Sequence, residues 1–422
     1  MSLWSSRPSS LRHQTDLGRR EMLTMISAIM ALMAMGIDMM LPAFDDIRDA
    51  YDLTGGSSQA GQTITIFFLG LAIGQLLFGP LADRFGRKAT LYGAMVVYVA
   101  AAVGSVFAPS FGALLATRFV WGIGAAGSRV VATAIVRDVF AGPAMARAMS
   151  QIMAVFVLVP VVAPTIGAGL IAFLPWRSIF WFCVVWAVVI GVWSLRLRET
   201  LNPEDERSLD LRTMAGGYWT VARTRVTMGY SLAGVFLQGV FTAYLATSES
   251  MITEIFGRDE SEFPLVFGAV ALLFGAGALA NGRAVQIWGI ERTITRVLTM
   301  QVGLVIVLVA LPLMSDGTPN FWVFMTVLGL LLATFMFLMP NLNAAAMEPV
   351  GRLAGTASAF TGAIRMAFGA VLGTLISSQV DTTVTPFAIG TALMIAGVLV
   401  TVAVVRARAA RAQLSAVEPA VA

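Results

Sequence analysis

The sequence predicts an all-α membrane protein, with twelve transmembrane helices in two pseudo-symmetric six-helix bundles and both termini in the cytoplasm. Three observations lead to this fold class. Apolar residues make up 58% of the 422 residues and charged residues only 12%, about half the charged fraction of soluble domains. Apolar runs long enough to cross a bilayer recur along the chain. Arginines collect in alternate segments between those runs.

Each predicted span is an apolar run of about 20 residues, the length needed to cross a hydrocarbon core roughly 30 Å thick. The first six runs cover residues 22–44, 61–81, 89–108, 112–135, 151–173 and 178–197. The second six cover residues 226–248, 263–284, 294–314, 321–346, 354–378 and 386–405. The first run is longer than a signal-peptide core and many similar runs follow it, so we expect it to remain a membrane span.

The alternation of apolar and polar segments divides the chain into five regions. These are a cytoplasmic tail (1–21), an N-terminal bundle (22–197), a cytoplasmic linker (198–225), a C-terminal bundle (226–405) and a second cytoplasmic tail (406–422). Gly79 precedes Asp83 at the end of helix 2, and Gly277 precedes Asn281 at the end of helix 8. This weak echo is typical of a duplicated architecture with its binding site between the repeats.

The basic residues predict the orientation, because Arg and Lys near a membrane collect on its cytoplasmic side. With both termini inside, 23 of the 28 basic residues fall in cytoplasmic segments, Arg129 among them. Arg48, Arg177 and Arg258 fall outside, where acidic residues dominate the loops. The net charge of +4 therefore reflects topology and does not indicate a nucleic-acid partner.

Cysteine and histidine are too scarce for most site chemistries. The chain has one cysteine, Cys183, inside an apolar run, and one histidine, His13, in the polar N-terminal tail. An intrachain disulfide, a cysteine metal cluster and a Ser-His dyad are therefore excluded. The sequence predicts no catalytic residue, no metal site and no cofactor, which argues against an enzyme.

A glycine-rich and charged segment, residues 79–88, forms the predicted turn between helices 2 and 3. A topology anchor alone would also place basic residues there, but Gly86 permits a turn that a Cβ would hinder. The segment reads GPLADRFGRK and resembles, at every defined position, the G-x-x-x-D-R-x-G-R-[RK] loop of the major facilitator superfamily. The resemblance implies a conformational latch between the bundles, made by Gly79, Asp83, Arg84, Gly86, Arg87 and Lys88.

Asp38 lies within predicted helix 1, in the sequence GIDMMLP. A carboxylate at membrane depth is costly and marks a functional site by default. Pro42 leaves the Asp38 carbonyl without its helical hydrogen-bond donor, which creates a local polar site. We therefore predict that Asp38 binds and releases the coupling proton. The alternative is a structural aspartate at the outer end of the helix.

Arg118 begins the sequence RFVWGIG in helix 4, which resembles the R-x-x-x-G-x-G helix of facilitator antiporters. Asp38 and Arg118 each lie about 9 Å from the outer ends of their predicted helices. This common depth predicts a direct or water-mediated pair that serves proton coupling and lines the substrate cavity. Gly122 to Gly127 also match a nucleotide-binding fingerprint, but no strand precedes them. They are more consistent with close helix packing.

Helix 5 contains two prolines and a glycine that predict a kink, Pro160, Pro164 and Gly167. The pattern resembles the proline-glycine motif of the antiporter branch. It reads A-P-x-x-G-A and so departs from the usual G-P-x-x-G-G. An ordinary proline kink in a transmembrane helix is the alternative.

Polar residues at helical spacing on helices 7 and 11 predict the rest of the substrate cavity. Arg365 lies midway along helix 11 and either binds a carboxylate, phenolate or phosphate of the substrate or pairs with Glu249. Glu249 is equally well explained as an outer-loop residue. The predicted cavity residues are Gln238, Thr242, Glu249, Ser358, Thr361 and Arg365, together with Asp38 and Arg118.

Over nearly its whole length the chain is similar to the Bcr/CflA-like drug-resistance branch of the superfamily. The resemblance implies proton-coupled export of small organic molecules by alternating access, driven by the proton gradient. It also implies a multi-pass protein of the bacterial inner membrane that functions as a monomer, with protons, lipid and substrate as its partners. Two alternatives remain, a proton-coupled importer of an organic anion or zwitterion and a non-transporting membrane sensor.

Overall fold

The computed structural model describes residues 17–53, 59–140, 142–201 and 211–417. Within these ranges the chain is helical and contains no β-strand. The helices are α1 (Arg19–Asp38), α2 (Phe44–Ala50), α3 (Gln62–Phe85), α4 (Arg87–Val106), α5 (Phe111–Val139), α6 (Gly142–Ile171), α7 (Ser178–Trp193), α8 (Leu211–Arg223), α9 (Arg225–Ser250), α10 (Phe263–Leu313), α11 (Phe321–Met347), α12 (Ala354–Ser377) and α13 (Thr385–Val417).

Eleven helical stretches of the described residues are long and apolar enough to cross a membrane, which confirms an all-α membrane protein. α10 has 51 residues and would be about 76 Å long if it were straight. Gly289 interrupts it with φ 75° and ψ 167°, a conformation that glycine adopts readily. Counting the two arms of α10 separately gives twelve apolar helices. The number of membrane crossings and the cytoplasmic location of the termini stay predictions.

Several helix ends differ from the predicted spans. α1 stops at Asp38, because Pro42 cannot donate a helical hydrogen bond, and the short helix α2 follows. The predicted linker contains a helix, α8, and α13 continues to Val417, well into the predicted C-terminal tail. Residues 1–16, with His13, and residues 202–210 of the linker lie outside the described residues.

Glycines allow α3 and α5 to pack with their backbones in contact. A Cβ on Gly70 would overlap the carbonyl oxygen of Phe119, and a Cβ on Gly122 would overlap that of Phe67. Two residues further along α5, on another side of the helix, a Cβ on Gly124 would lie 2.5 Å from the backbone nitrogen of Tyr98 on α4. The structure thus confirms the prediction that these glycines serve helix packing.

The N-terminal half, α1 to α7, contacts the C-terminal half, α9 to α13, along two pairs of helices. α3 packs on α12, where the hydroxyl oxygens of Thr65 and Thr374 are 2.6 Å apart. α6 packs on α10, where a Cβ on Gly268 would touch Val161 at 3.5 Å. Residues that face between these two contacts are therefore candidates for the transport site.

Candidate functional site

Asp38 is buried at the contact between the two halves. Only 5% of its surface is exposed, and no hydrogen bond or ion pair to its carboxyl is found among the described residues. Tyr244 of α9 lies within electrostatic reach of Asp38, and its hydroxyl is buried without a hydrogen-bond partner. The site therefore brings an uncompensated carboxyl group from one half to a phenol from the other. Tyr244 lies in the middle of a predicted span, and the polar end of a tyrosine at such a position was the feature of the sequence that could have identified it.

Arg118 does not form the predicted direct pair with Asp38. Its side chain is fully buried, and none of its three guanidinium nitrogens has a hydrogen-bond partner among the described residues. The guanidinium carbon lies instead 4.5 Å from the ring centre of Phe67 and 4.9 Å from that of Trp121. The cation is stabilised by aromatic faces, an interaction that strengthens when water is excluded. A water-mediated link to Asp38 stays a prediction.

The helix 5 motif lies against the break in the helix that follows Asp38. Pro160 and Pro164 are inside α6. A Cβ on Gly167 would overlap the carbonyl oxygen of Met39 and would lie 3.1 Å from the ring of Pro42. Gly167 therefore permits backbone contact between α6 and the residue next to Asp38. This contact gives the glycine of the motif a structural reason beyond a kink.

Arg365 and Thr361 line the same small pocket in the C-terminal half, as their spacing predicted. The pocket lies between α9, α11 and α12, and Asn343 and Tyr230 contribute further polar groups. Gly234 leaves room for the arginine, because a Cβ there would lie 3.2 Å from Arg365 Cδ. Ser358, one turn earlier on α12, is exposed.

Gln238 and Thr242 do not lie on an open cavity surface, which corrects their predicted role. Both face glycines of α12: a Cβ on Gly369 would lie 2.5 Å from the Gln238 side chain, and one on Gly373 would lie 2.6 Å from Cβ of Thr242. Gln238 Nε2 donates a hydrogen bond to Thr242 Oγ1 at 3.4 Å. These residues join α9 to α12. The spacing of Gln238 and Thr242 correctly predicted a buried face, but spacing does not distinguish a face that contacts another helix from one that lines a cavity.

Glu249 is neither an outer-loop residue nor the partner of Arg365. It lies near the end of α9, is 3% exposed and accepts a hydrogen bond from Thr253 at 3.0 Å. Its charged neighbours are Asp45, Arg48 and Glu254. Glu249 therefore belongs to a cluster of charges where α2 meets the end of α9.

An ion pair joins the two halves within this cluster. Arg48 of α2 contacts Glu254, just beyond α9, and also contacts Asp45. With Glu249, three carboxyl groups surround one arginine. On the predicted orientation this cluster closes the outer side of the protein.

The 79–88 segment folds on the N-terminal half through a network of ion pairs. Arg87 Nη1 lies 2.6 Å from Asp83, and Arg87 Nε lies 2.8 Å from Asp138 of α5. Lys88 Nζ donates to the carbonyl of Leu195 at 3.1 Å. In this structure the described bonds of Asp83, Arg87 and Lys88 stay within one half, so the predicted latch between the bundles remains a prediction. Gly79 has open space beside it.

Glu199 is a member of this network that the sequence analysis missed. Its carboxylate accepts hydrogen bonds from the backbone nitrogens of Arg87, at 2.8 Å, and Lys88, at 3.0 Å. These are free donors at the N-terminus of α4, where the helix dipole favours an anion. Gly86 has φ +87°, and a Cβ there would lie 2.6 Å from Glu199 Oε2. In the sequence, Glu199 is a single acid after Arg196 and Arg198, and such a residue has no periodic pattern that would predict its role.

An apolar groove runs between α1, α6 and α7. It encloses about 1260 Å³, including its open mouth. Met35, Ala163, Phe182 and Trp186 are among its lining residues, and Met35 lies one turn before Asp38. Aromatic and flexible thioether side chains of this kind accommodate apolar molecules of varied shape. In the described residues no group of three or more His, Cys, Asp or Glu side chains could hold a metal.

Comparison with known proteins identifies the family. Residues 24–370 match the model of the Major Facilitator Superfamily. The chain belongs to this superfamily. The family and the fold are those of membrane transporters. Among solved structures, a D-xylose-proton symporter has the same fold, with a TM-score of 0.70 at 15% identity over 90% of this chain and 96% of that one.

Two curated members of the superfamily that are similar to this chain are named for drug resistance. The bicyclomycin resistance protein homolog of Haemophilus influenzae is 30% identical over 367 residues, which cover 85% of this chain and 90% of that protein. The chloramphenicol resistance protein of Pseudomonas aeruginosa is 28% identical over 336 residues, which cover 78% and 76%. These findings confirm the resemblance to the drug-resistance branch.

Proposed function

We propose that this transporter exports small organic molecules from the cytoplasm across the bacterial inner membrane in exchange for protons. The observation that carries the proposal is Asp38, a buried carboxyl group at the contact between the two halves for which the described residues supply no counter-ion. An isolated charge in such a place is costly, so the neutral, protonated form is favoured until the site becomes hydrated. This property allows Asp38 to take up a proton on one side and release it on the other.

Alternating access connects this proton to the substrate. When the outer cluster around Arg48 opens, water reaches Asp38 and a proton enters. The protonated site then favours closure of the outer side and access from the cytoplasm, where an organic substrate displaces the proton. The 79–88 segment and the linker move as the halves rock. Substrate and proton thus compete for one region, and the inward proton gradient drives export.

Export is the direction favoured by the relatives, which are named for resistance to bicyclomycin and chloramphenicol. The apolar groove between α1, α6 and α7 agrees with substrates of low polarity. We therefore expect expression of the chain in an efflux-deficient host to protect growth against at least one compound of a panel that includes both antibiotics. Protection by wild type against no compound of the panel would contradict export and favour the importer.

Substitution of Asp38 by asparagine tests the proton site. Asp38→Asn removes the ionisable group but retains its size, so we expect proton-driven uptake into everted vesicles to fall about 100-fold or more, the scale of losing an essential proton-transfer group. Counterflow of substrate without a pH gradient should persist. The measurement is the alkalinisation of the acid vesicle lumen on substrate addition.

Asp381→Asn is the matched control, because Asp381 is an exposed acid. It should leave proton flux unchanged. A wild-type pH profile in Asp38→Asn would rule out Asp38 as the coupling site. Acidification of the lumen in place of alkalinisation would establish symport. Ligand binding without transport of any solute in liposomes would point to the sensor.

A further inference from the structure

Arg129, predicted to lie in a cytoplasmic segment, is inside a helix, which corrects that prediction. Arg129 lies within α5, ten residues before the helix ends at Val139, and so about 15 Å inside that end. Its side chain is only partly exposed. The one contact found for its guanidinium is Nη1 to the thioether sulfur of Met33 at 3.8 Å, and a thioether is a weak acceptor. Arg129 is therefore a cation inside the bundle for which the described residues supply no anionic partner.

Arg365 is a second such cation at the same depth in the opposite half. It lies eleven residues after the start of α12 at Ala354, about 16 Å along that helix. Its pocket contains the neutral polar groups of Tyr230, Asn343 and Thr361 and contains no carboxylate. Arg365 makes no ion pair among the described residues, and the one charged group found to act on it electrostatically there is Arg129.

The two arginines, one from each half, thus lie within electrostatic reach of each other, and neither makes an ion pair among the described residues. Like charges repel, and repulsion is strongest where water is excluded. Structural arginines inside membranes pair with acids or carbonyl groups, whereas unpaired ones mark a substrate pathway. The arrangement lacks the negative group that would stabilise it.

We infer that Arg129 and Arg365 together bind the anionic group of the transported substrate, an organic molecule that carries a carboxylate or phosphate oxyanion. A guanidinium donates two parallel hydrogen bonds to either group. Asn343 and Thr361 can bind further oxygen atoms, while Met33 and Met339 offer apolar contacts to the organic part. The inference rests on the proposed function only in treating this region as the transport route. Because each half supplies one arginine, a bound anion would also draw the halves together.

Binding of an aromatic acid and of its neutral amide tests the inference without any transport step. The purified full chain in a neutral detergent is titrated with radiolabelled 1-naphthoate and with 1-naphthamide, which have nearly the same shape. Wild type should bind the acid about 10-fold or more tightly than the amide, the scale of a charge-assisted hydrogen-bond pair. Equal affinities would overturn the inference while leaving proton-driven export intact.

Variants assign the preference to the two arginines. Arg129→Gln and Arg365→Gln should each abolish the preference for the acid, and Arg365→Lys should retain part of it because the charge remains. Arg292→Gln, an exposed arginine on α10, should bind like wild type. Unchanged naphthoate affinity in both glutamine variants would overturn the inference. If a glutamine variant does not fold, the lysine variant and the wild-type comparison of acid with amide still decide the result.

The anion could also be the headgroup phosphate of a lipid, which offers the same chemistry. Phosphatidylglycerol and phosphatidylcholine are therefore added in parallel to the naphthoate-bound protein. If neither lipid displaces the bound naphthoate, the result supports a substrate site. Displacement by phosphatidylglycerol alone would overturn the assignment to a transported molecule and establish a lipid site.

Discussion

Two charged side chains of this protein, one buried and one exposed, are stabilised in different ways. Arg118 is fully buried and is held between the rings of Phe67 and Trp121. Glu199 is held by backbone donors at the start of a helix. Neither relies on one opposite charge at close range. Asp38 has no comparable support among the described residues, and that difference is what singles it out as the residue that changes its protonation.

Substitution of Arg118 by lysine tests the aromatic contribution at this scale. Lysine keeps the charge but loses the planar group that stacks on rings, so Arg118→Lys should destabilise the protein by about 1–2 kcal/mol. The measurement is thermal unfolding with a thiol-reactive dye, because the single cysteine, Cys183, is buried in the folded state.

The matched control for that substitution is an exposed arginine that also stacks on a ring. Arg296 lies 4.3 Å from the ring of Trp288 on α10. Arg296→Lys should change the unfolding temperature little, because solvent weakens the interaction there. Equal effects of the two substitutions would show that burial does not strengthen the Arg118 contacts.

Glycine determines how the helices turn and how closely they pack. Gly289 divides α10 into two arms, and the glycines of α5 bring its backbone against α3 and α4. Gly289 has no atom near its missing side chain, whereas Gly122 has no free space at all. The first position therefore depends on backbone conformation and the second on packing.

Alanine at the turn of α10 tests the conformational requirement alone. Gly289→Ala introduces no clash but forces a Cβ into a region of backbone conformation that is nearly specific to glycine, at a cost of about 1–3 kcal/mol. We expect a lower unfolding temperature in the same dye assay. Gly282→Ala, in regular helix with open space around it, should be neutral or slightly stabilising. A stabilised Gly289→Ala protein would mean that the two arms do not need the turn.

At the scale of the whole molecule, one ion pair found among the described residues joins the two halves. Arg48 of the N-terminal half contacts Glu254 of the C-terminal half. By contrast, Arg258 and Glu262, 3.7 Å apart, belong to the same half. Loss of the first pair should change the balance between conformations, and loss of the second should not.

Labelling of an introduced thiol measures this balance. In a Cys183→Ser background, Ser250→Cys places a thiol at a position that is 2% exposed at the end of α9. Arg48→Gln should increase the rate of labelling by an impermeant maleimide added outside about 5-fold, the effect of a 1 kcal/mol change in the opening equilibrium. Arg258→Gln should leave the rate unchanged. Equal rates in all three proteins would show that this pair does not hold the outer side closed.

The sequence predicted the features that depend on composition and spacing. The apolar spans, the packing role of Gly122 and the shared pocket of Thr361 and Arg365 all follow from local rules. The prediction of a direct pair between Asp38 and Arg118 was wrong, because equal depth does not specify which faces of two helices meet. The position of Tyr244 near Asp38 was not predicted, for the same reason.

The position of Arg129 inside the bundle was not predicted, for a different reason. The rule that collects basic residues on one side of the membrane also accepts an arginine that is near the end of an apolar run but inside the helix. Arg129 already lies inside the predicted span 112–135, and because α5 continues to Val139, it lies deeper in the helix than that span indicated. Only the three-dimensional arrangement brings it towards Arg365.

The contact of Gly167 with Met39 has a mechanical consequence. There is no room for even a methyl group between α6 and the helix break beside Asp38, so the chain at that break cannot tilt towards α6 without pushing it. The same helix touches α10 of the other half through Val161 and Gly268. We therefore expect that a small displacement of the chain beside Asp38, caused by hydration or neutralisation of its carboxyl group, pushes α6. Through α6, it also pushes α10 of the opposite half.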